Sequence, residues 1–216
     1  TVSMPGYNIQ ILDEFGKELP NGNLGAIAIK LPLPPGTLST IWNADHRYES
    51  SYLKSFSGYY ETGDAGYKDD DDYLYIMART DDVMNVAGHR LSSGQMEEVL
   101  ASHPDIAECA VIGAADALKG QLPIGIMCTN VDTEKSNEEI INECIKLVRT
   151  KIGPVAAFKI AIIVDRLPKT RSGKILRGTI VKIADGNPYK APATIDDPKI
   201  LEEITLALKN IGYPKL

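Results

Sequence analysis

Three short segments concentrate residue types that bind phosphate, hold a sugar or supply a fixed positive charge. The first is Gly58-Tyr59-Tyr60-Glu61-Thr62-Gly63-Asp64. Its Asp64 follows a glycine at the end of a β-like run, where a carboxylate either accepts two hydrogen bonds from a sugar diol or caps a turn. The second runs from Ala78 to Leu91 and contains Arg79, Asp81, Asp82, Ala87, Gly88 and Arg90. Arg79 and Arg90 flank a loop with two acids, so mutual salt bridges of small energetic worth account for them as readily as a ligand does. Gly88 marks either a close backbone approach or a positive φ. The third is Leu167-Pro168-Lys169-Thr170-Arg171-Ser172-Gly173-Lys174-Ile175, with the cations Lys169, Arg171 and Lys174 among small residues. Such a loop is expected to be mobile, and it either delivers an ammonium to a phosphate or carboxylate or is simply solvated. It is not a phosphate-cradling loop of the Gly-Lys-Ser/Thr type, because Ile175 follows Lys174 and the upstream glycine spacing is missing.

The elements around these segments read as an α+β chain. Residues 8–12 and 25–31 alternate polar and apolar with the period of half-buried strands. Tyr48, Tyr52 and Phe56 at four-residue spacing predict a helix over 44–56. Residues 58–60 and 73–77 are strand-like, and the run Asp69 to Asp72 between them lacks calcium-loop spacing and reads as a solvated turn. From Asp82 onward strands alternate with helices. Ser92 with Gln95, and Ser136 with Glu139, form capping boxes that open two helices. Residues 108–113, 123–129 and 159–164 are strands, and Gly153-Pro154 ends the second helix. Asp197-Pro198 opens a last helix. The junction between the two halves is expected near Arg79 to Asp82.

Composition narrows the class of function. Of 216 residues, 44% are hydrophobic and 24% charged, which excludes disorder as the main state. A net charge of −6 argues against nucleic acid as a general partner. No apolar run is long enough to cross a bilayer. Cys109, Cys128 and Cys144 match neither a zinc spacing nor a disulfide framework, and point to a reducing compartment. The chain starts Thr1-Val2-Ser3 without an initiator Met or an apolar targeting core, which raises the expectation of a fragment.

Taken together and in order, the three segments resemble the C-terminal signature motifs of the adenylate-forming superfamily. Tyr60 to Asp64 is similar to its ribose-binding motif, Arg79 to Arg90 to its hinge motif, and Pro168 to Lys174 to the motif that ends in its catalytic lysine. Val86-Ala87-Gly88-His89-Arg90-Leu91-Ser92 and Leu167 to Lys174 resemble the short-chain branch, the acetyl- and propionyl-CoA synthetases. Residues 153–158 and 194–198 lean to the propionyl type. The resemblance implies residues 1–80 as the end of a large adenylation domain, a β-rich part of a β-barrel-like subdomain. It implies 81–216 as a mobile C-terminal domain with a small mixed α/β fold.

The same resemblance implies the chemistry. ATP and a short-chain carboxylate, propionate or acetate, give acyl-adenylate and pyrophosphate, and coenzyme A then displaces AMP. Lys174 is implied as catalytic; Asp64, Arg79 and Arg90 as nucleotide-binding; Asp81 as the hinge. Ala87, Gly88 and Arg149 are implied to face coenzyme A, and Ala101, His103 and Ile106 to hold Mg²⁺, partly through backbone carbonyls. Lys174 is further implied as an acetylation target, with a deacetylase as partner. The larger N-terminal domain of the same chain is the other implied partner, because the Ser/Thr/Gly-rich phosphate loop and the adenine-holding aromatic motif are absent from these residues. The isolated chain is therefore expected to be inactive. Cytoplasm and mitochondrial matrix fit equally. Gln95, Ala78 and Gly178 depart from the family pattern without touching a catalytic group. Two rival readings remain: a non-catalytic regulatory module of the same fold, and an adenylation domain serving a carrier protein. The presence of Lys174 argues against the first, and Gly88 with Arg149 against the second.

Overall fold

In the computed structural model, residues 1–215 are described, Asp81 by its backbone alone. The chain divides into two compact units, Thr1–Val83 and Met84–Leu216. In the first unit, β1 (Ile9–Leu12), β2 (Gly25–Lys30), β3 (Tyr59–Lys68) and β4 (Leu74–Arg79) form an antiparallel sheet in the order β1-β2-β3-β4. Alternation sends Ile11, Ile27 and Leu74 into one core, with Ile9 and Leu19 packed beside them. Two bulges, at Ile27/Ala28 and Ala65/Gly66, bend the ladder. The sheet has free edges at β1 and β4, so the described residues form an open antiparallel sheet and no closed barrel.

The helix expected over 44–56 is α-helical only in α1 (Asp45–Tyr48) and continues as a π-helical turn over Glu49–Leu53. Ring packing decides this: Tyr52 stacks on Tyr60 of β3 at 5.1 Å, and Tyr48 lies 6.4 Å from the same ring. The acidic run is a hairpin turn in which Asp69 Oδ1 accepts the N–H groups of Asp71 and Tyr73.

From the boundary residue Val83 onward follow β5 (Val83–Val86), β6 (His89–Ser92), α2 (Ser93–Ala101), β7 (Ile106–Asp116), β8 (Gly120–Thr129), α3 (Asn137–Lys151), β9 (Ile160–Ile163), α4 (Arg177–Ala184) and α5 (Ile200–Asn210). The sheet order is β6-β5-β8-β7, and β9 pairs parallel to β8. Helices cover both faces. Ala110, Ile112, Ala114, Ile124 and Ile126 pack with α4 and α5 on one side. Val111 and Met127 pack with Met96 and Leu100 of α2 and Ile140, Cys144 and Val148 of α3 on the other. With both faces buried, residues 123–128 are buried without interruption.

At Ser136 the complete capping box is present, and at Ser92 the hydroxyl oxygen accepts the Gln95 N–H. The last helix starts at Ile200, later than Asp197-Pro198 suggests. Asp197 caps the turn that leads into it: Oδ1 accepts the Lys199 N–H, and Oδ2 pairs with Arg166 at 2.7 Å. The hairpin β5–β6 and helix α4 have no counterpart in the sequence reading. The N-cap of α4 is Leu176, with no side-chain cap, so the usual start signal is missing there.

Candidate functional site

Asp64 and Arg79 lie opposite each other in the β3–β4 ladder. Arg79 Nη1 donates to Asp64 Oδ1 at 3.2 Å and to the Thr62 carbonyl at 3.4 Å. Gly63 makes room for the guanidinium: a Cβ there would lie 2.6 Å from Arg79 Nη2. The Thr62 hydroxyl donates to the Ile27 carbonyl and accepts the Asp64 N–H, which fixes the strand exit. About a third of the Asp64 side chain stays exposed, enough for further hydrogen bonds. After Arg79 comes a 3₁₀ turn over Thr80–Asp82. The side chain of the expected hinge residue Asp81 lies outside the described residues.

In the second unit, Ala87 and Gly88 form the two-residue loop of the β5–β6 hairpin, with φ of +52° and +86°. Positive φ at both positions is the requirement of a tight hairpin turn that matches strand twist. The Gly88 N–H donates to Asn85 Oδ1 at 3.1 Å, and the Ala87 N–H to the Lys119 carbonyl at 2.8 Å. Nothing lies within 4 Å of a Cβ built on Gly88, so backbone conformation and not crowding within this unit calls for glycine. Ala87 holds the left-handed conformation against its own Cβ. Ala87→Gly is expected to stabilise the fold by about 1 kcal/mol, read as a higher melting temperature. An unchanged or lower one would contradict the strain. Arg90, on β6, is half-buried and already engaged.

Lys174 sits on a braced turn, which corrects the picture of a merely loose loop. The Thr170 N–H donates to the Lys174 carbonyl at 2.8 Å, and the Lys174 N–H to Thr170 Oγ1 at 3.0 Å. The Arg171 N–H donates to the Thr194 carbonyl, and single bridges join Lys169 to Ile175 and Thr170 to Ile195. Gly173 closes the turn at φ +84°. The Lys174 side chain is exposed and has no ionic partner among the described residues.

Arg149, from the last turn of α3, lines a cleft of about 210 Å³. Lys119 and Lys159 line it too, over an apolar floor of Ile145, Ala156 and Phe158. Sequence reasoning missed both lysines. They come from the β7–β8 turn and from the start of β9, far apart in the chain, and no local spacing links them to Arg149. Lys119 also accepts from Ala87, so the cationic cleft adjoins the Ala87-Gly88 turn. Three cations over an apolar floor suit a phosphorylated ligand with a ring to bury.

His103 is buried, and its Nδ1 accepts the Asp105 N–H. That leaves the proton on Nε2, which donates to Glu143 Oε2 at 2.9 Å. Lys135 Nζ lies 2.7 Å from the same Glu143 oxygen and 3.1 Å from Asp105 Oδ2. Lys135 first and His103 second hold the Glu143 carboxyl below the usual range. The magnesium set expected at Ala101, His103 and Ile106 stays an expectation. The His103 carbonyl accepts the Ile106 N–H, and the imidazole lies with Asp105 and Glu143 in a group of donor atoms within 4.8 Å of one another, where Lys135 supplies the positive charge. Asp105, Lys135 and Glu143 lie too far apart in sequence to have been read as one cluster with His103. Burial pushes the Cys109 thiol up to about 12, and those of Cys128 and Cys144 to about 11, which keeps them in the protonated form.

Comparison with known proteins gives a consistent picture. Residues 95–174 match the family described as the AMP-binding enzyme C-terminal domain. The acyl-CoA synthetase short-chain family member 3, mitochondrial, of Mus musculus is 48% identical over 206 residues, 95% of this chain and 30% of that protein. The acetyl-coenzyme A synthetase of Pyrobaculum aerophilum is 39% identical over 208 residues, 96% of this chain and 31% of that one. The acetoacetyl-CoA synthetase structure from Streptomyces lividans superposes with a TM-score of 0.81 at 20% identity, over 97% of this chain and 32% of that one, a likeness of fold. The chain thus spans about a third of the length of the curated relatives it matches. No described helix is long and apolar enough to cross a membrane.

Proposed function

We infer, from the premise that residues 95–174 belong to the AMP-binding enzyme C-terminal domain family, that this chain serves an AMP-forming short-chain acyl-CoA synthetase. It corresponds to the C-terminal region of such an enzyme. Residues 1–80 belong to its adenylation domain and 81–216 form its mobile C-terminal domain. The reaction has two steps. An oxygen of propionate or acetate attacks the α-phosphorus of ATP and expels pyrophosphate. The thiol of coenzyme A then attacks the acyl carbonyl and expels AMP.

The observation that carries this reading is Lys174: an exposed, ionically unpartnered ammonium on a turn whose backbone is hydrogen-bonded from several sides. Such a charge suits the first step, where negative charge builds between the carboxylate and the α-phosphate. Asp64 and Arg79 meet the ribose hydroxyls as acceptor and donor, and Arg90 faces the phosphate end. Asp81 is the hinge about which the C-terminal domain turns between steps. Ala87 and Gly88 border the path of the pantetheine arm. Arg149, now joined by Lys119 and Lys159, receives the phosphate-bearing end of coenzyme A. Magnesium enters with ATP as part of the substrate, and no step is assigned to an ion at His103. Lys174 is also the position where acetylation would stop the first step by removing its charge, with a deacetylase to restore it. Cytoplasm or mitochondrial matrix is the proposed compartment.

The test is product analysis of the full-length enzyme with ATP, coenzyme A and carboxylates of increasing chain length. Acyl-CoA with AMP and pyrophosphate, best with propionate or acetate, is the expected outcome. ADP with phosphate, or no acyl-CoA with any short acid, would overturn the proposal. The 216-residue chain assayed alone is expected to form none, because it lacks the phosphate loop.

A further inference from the structure

The exposed side chain of Lys174 has no hydrogen bond or ion pair among the described residues to aim it, so its placement depends on what holds the backbone of its loop. Two ion pairs bracket that loop and tie it to one line of the sheet. Among the described residues strand β7 is the outermost strand on its side, and its outward N–H groups have no strand partner there. Such groups need acceptors from elsewhere. Glu97 Oε1, from α2, accepts the Val111 N–H at 2.8 Å, and Asp185 Oδ1, at the end of α4, accepts the Ala115 N–H at 2.7 Å. The same Glu97 carboxylate takes Arg177 in a fork: Nε to Oε1 at 2.8 Å and Nη2 to Oε2 at 2.7 Å. On the other side of Lys174, Lys169 pairs with Glu108 of β7.

The two pairs are not equivalent. Lys169–Glu108 is a single contact between side chains 30% and 46% exposed, which water and salt weaken. Arg177–Glu97 is bidentate, with side chains only 26% and 15% exposed. A guanidinium fork on a carboxylate fixes distance and plane together, which an ammonium cannot do. Glu97 is further immobilised by its hydrogen bond from Val111. Arg177 is the first residue of α4, three positions after Lys174. The N-cap of α4 has no side-chain cap, and the fork adds a side-chain tie at the start of this helix to the backbone bond from the Leu176 N–H to the Pro168 carbonyl.

We propose that the Glu97–Arg177 fork is the positioning device of Lys174, setting the loop's place against the edge of β7 so that the ammonium reaches the forming acyl-adenylate. This rests on the functional reading above. Glu97 and Arg177 are positioning residues that act through Lys174. Since Lys174 serves the first half-reaction, loss of the fork affects adenylate formation and spares the thioester step. A merely structural pair would affect both alike.

The experiment uses the full-length enzyme carrying Arg177→Met, Arg177→Lys or Glu97→Gln, with Lys174→Ala in parallel. Each half-reaction is measured separately, the second from supplied acyl-adenylate, beside the melting temperature. Arg177→Met is expected to slow adenylate formation about thirtyfold, since a displacement of about 1 Å in a catalytic group costs up to about a hundredfold. Thioester formation is expected to stay within about threefold of the parent. Arg177→Lys, which keeps charge and loses the fork, falls between. Glu97→Gln keeps an acceptor for Val111 and carries the test where Arg177→Met does not fold. Equal loss in both half-reactions, following the fall in melting temperature, would overturn the proposal, as would no loss in either. If Lys174→Ala itself leaves adenylate formation intact, the functional reading fails and the proposal with it. If Lys174→Ala abolishes it while the fork variants do not, only the positioning role fails.

Discussion

Lys174→Ala in the full-length enzyme is expected to lower the rate of adenylate formation about a thousandfold and to leave thioester formation from supplied acyl-adenylate nearly unchanged. The turn that carries Lys174 is built from backbone hydrogen bonds and from Thr170 Oγ1, none of which involves the lysine side chain. Truncation to alanine therefore leaves the fold in place, and the melting temperature is expected to stay within about a degree of the parent, as for surface changes in general. What is lost is one unit charge at the position where the carboxylate and the α-phosphate must approach despite their like charge. A preorganised cation there acts in the transition state more than in the ground state, so kcat falls more than KM rises. Measuring pyrophosphate release for the first step and acyl-CoA for the second separates the two. Loss in both steps, or in neither, would remove Lys174 from the role given to it.

Arg149→Glu is expected to raise KM for coenzyme A about fiftyfold while leaving KM for ATP unchanged. The substitution exchanges a cation for an anion in a cleft where Lys119 and Lys159 remain, so a phosphorylated ligand loses one charge-assisted contact and meets a repulsion. Lys119→Ala and Lys159→Ala, which only remove charge, are expected to raise the same constant by about threefold to tenfold each. Arg149 is exposed on the last turn of α3, outside the core built by Ile140, Cys144 and Val148, so the fold tolerates the change. An unchanged KM for coenzyme A in all three variants would instead favour an acyl acceptor other than coenzyme A, such as a carrier protein. Lowered affinity for ATP would place the cleft on the nucleotide side.

Much of the second unit could be read along the chain because its elements carry local signals. Ser136 and Glu139 announce α3 through a reciprocal cap, and residues 123–129 announce a strand. Asp64, Arg79, Gly88 and Lys174 were singled out by type and spacing within single segments, and two of them, Asp64 and Arg79, are brought together by one ladder register. Helix α4 was not legible because its N-cap, Leu176, has no side-chain acceptor, so the usual start signal is missing. The helix expected over 44–56 packs its Tyr48 and Tyr52 against the Tyr60 ring of a strand that follows it in sequence.

The sequence by itself determined those strands and helices that carry local signals, the three glycine-marked segments and the residue types at their tips. These follow from period, capping and turn chemistry, which act over a few residues. Only the tertiary structure decided which distant groups share a place. It joined Lys119 and Lys159 to Arg149, gathered Lys135, Asp105 and Glu143 around His103, and fastened Arg177 to Glu97 across 80 positions. Ionic and hydrogen-bonding partners need proximity in space alone, and a folded sheet with helices on both faces supplies it regardless of separation along the chain.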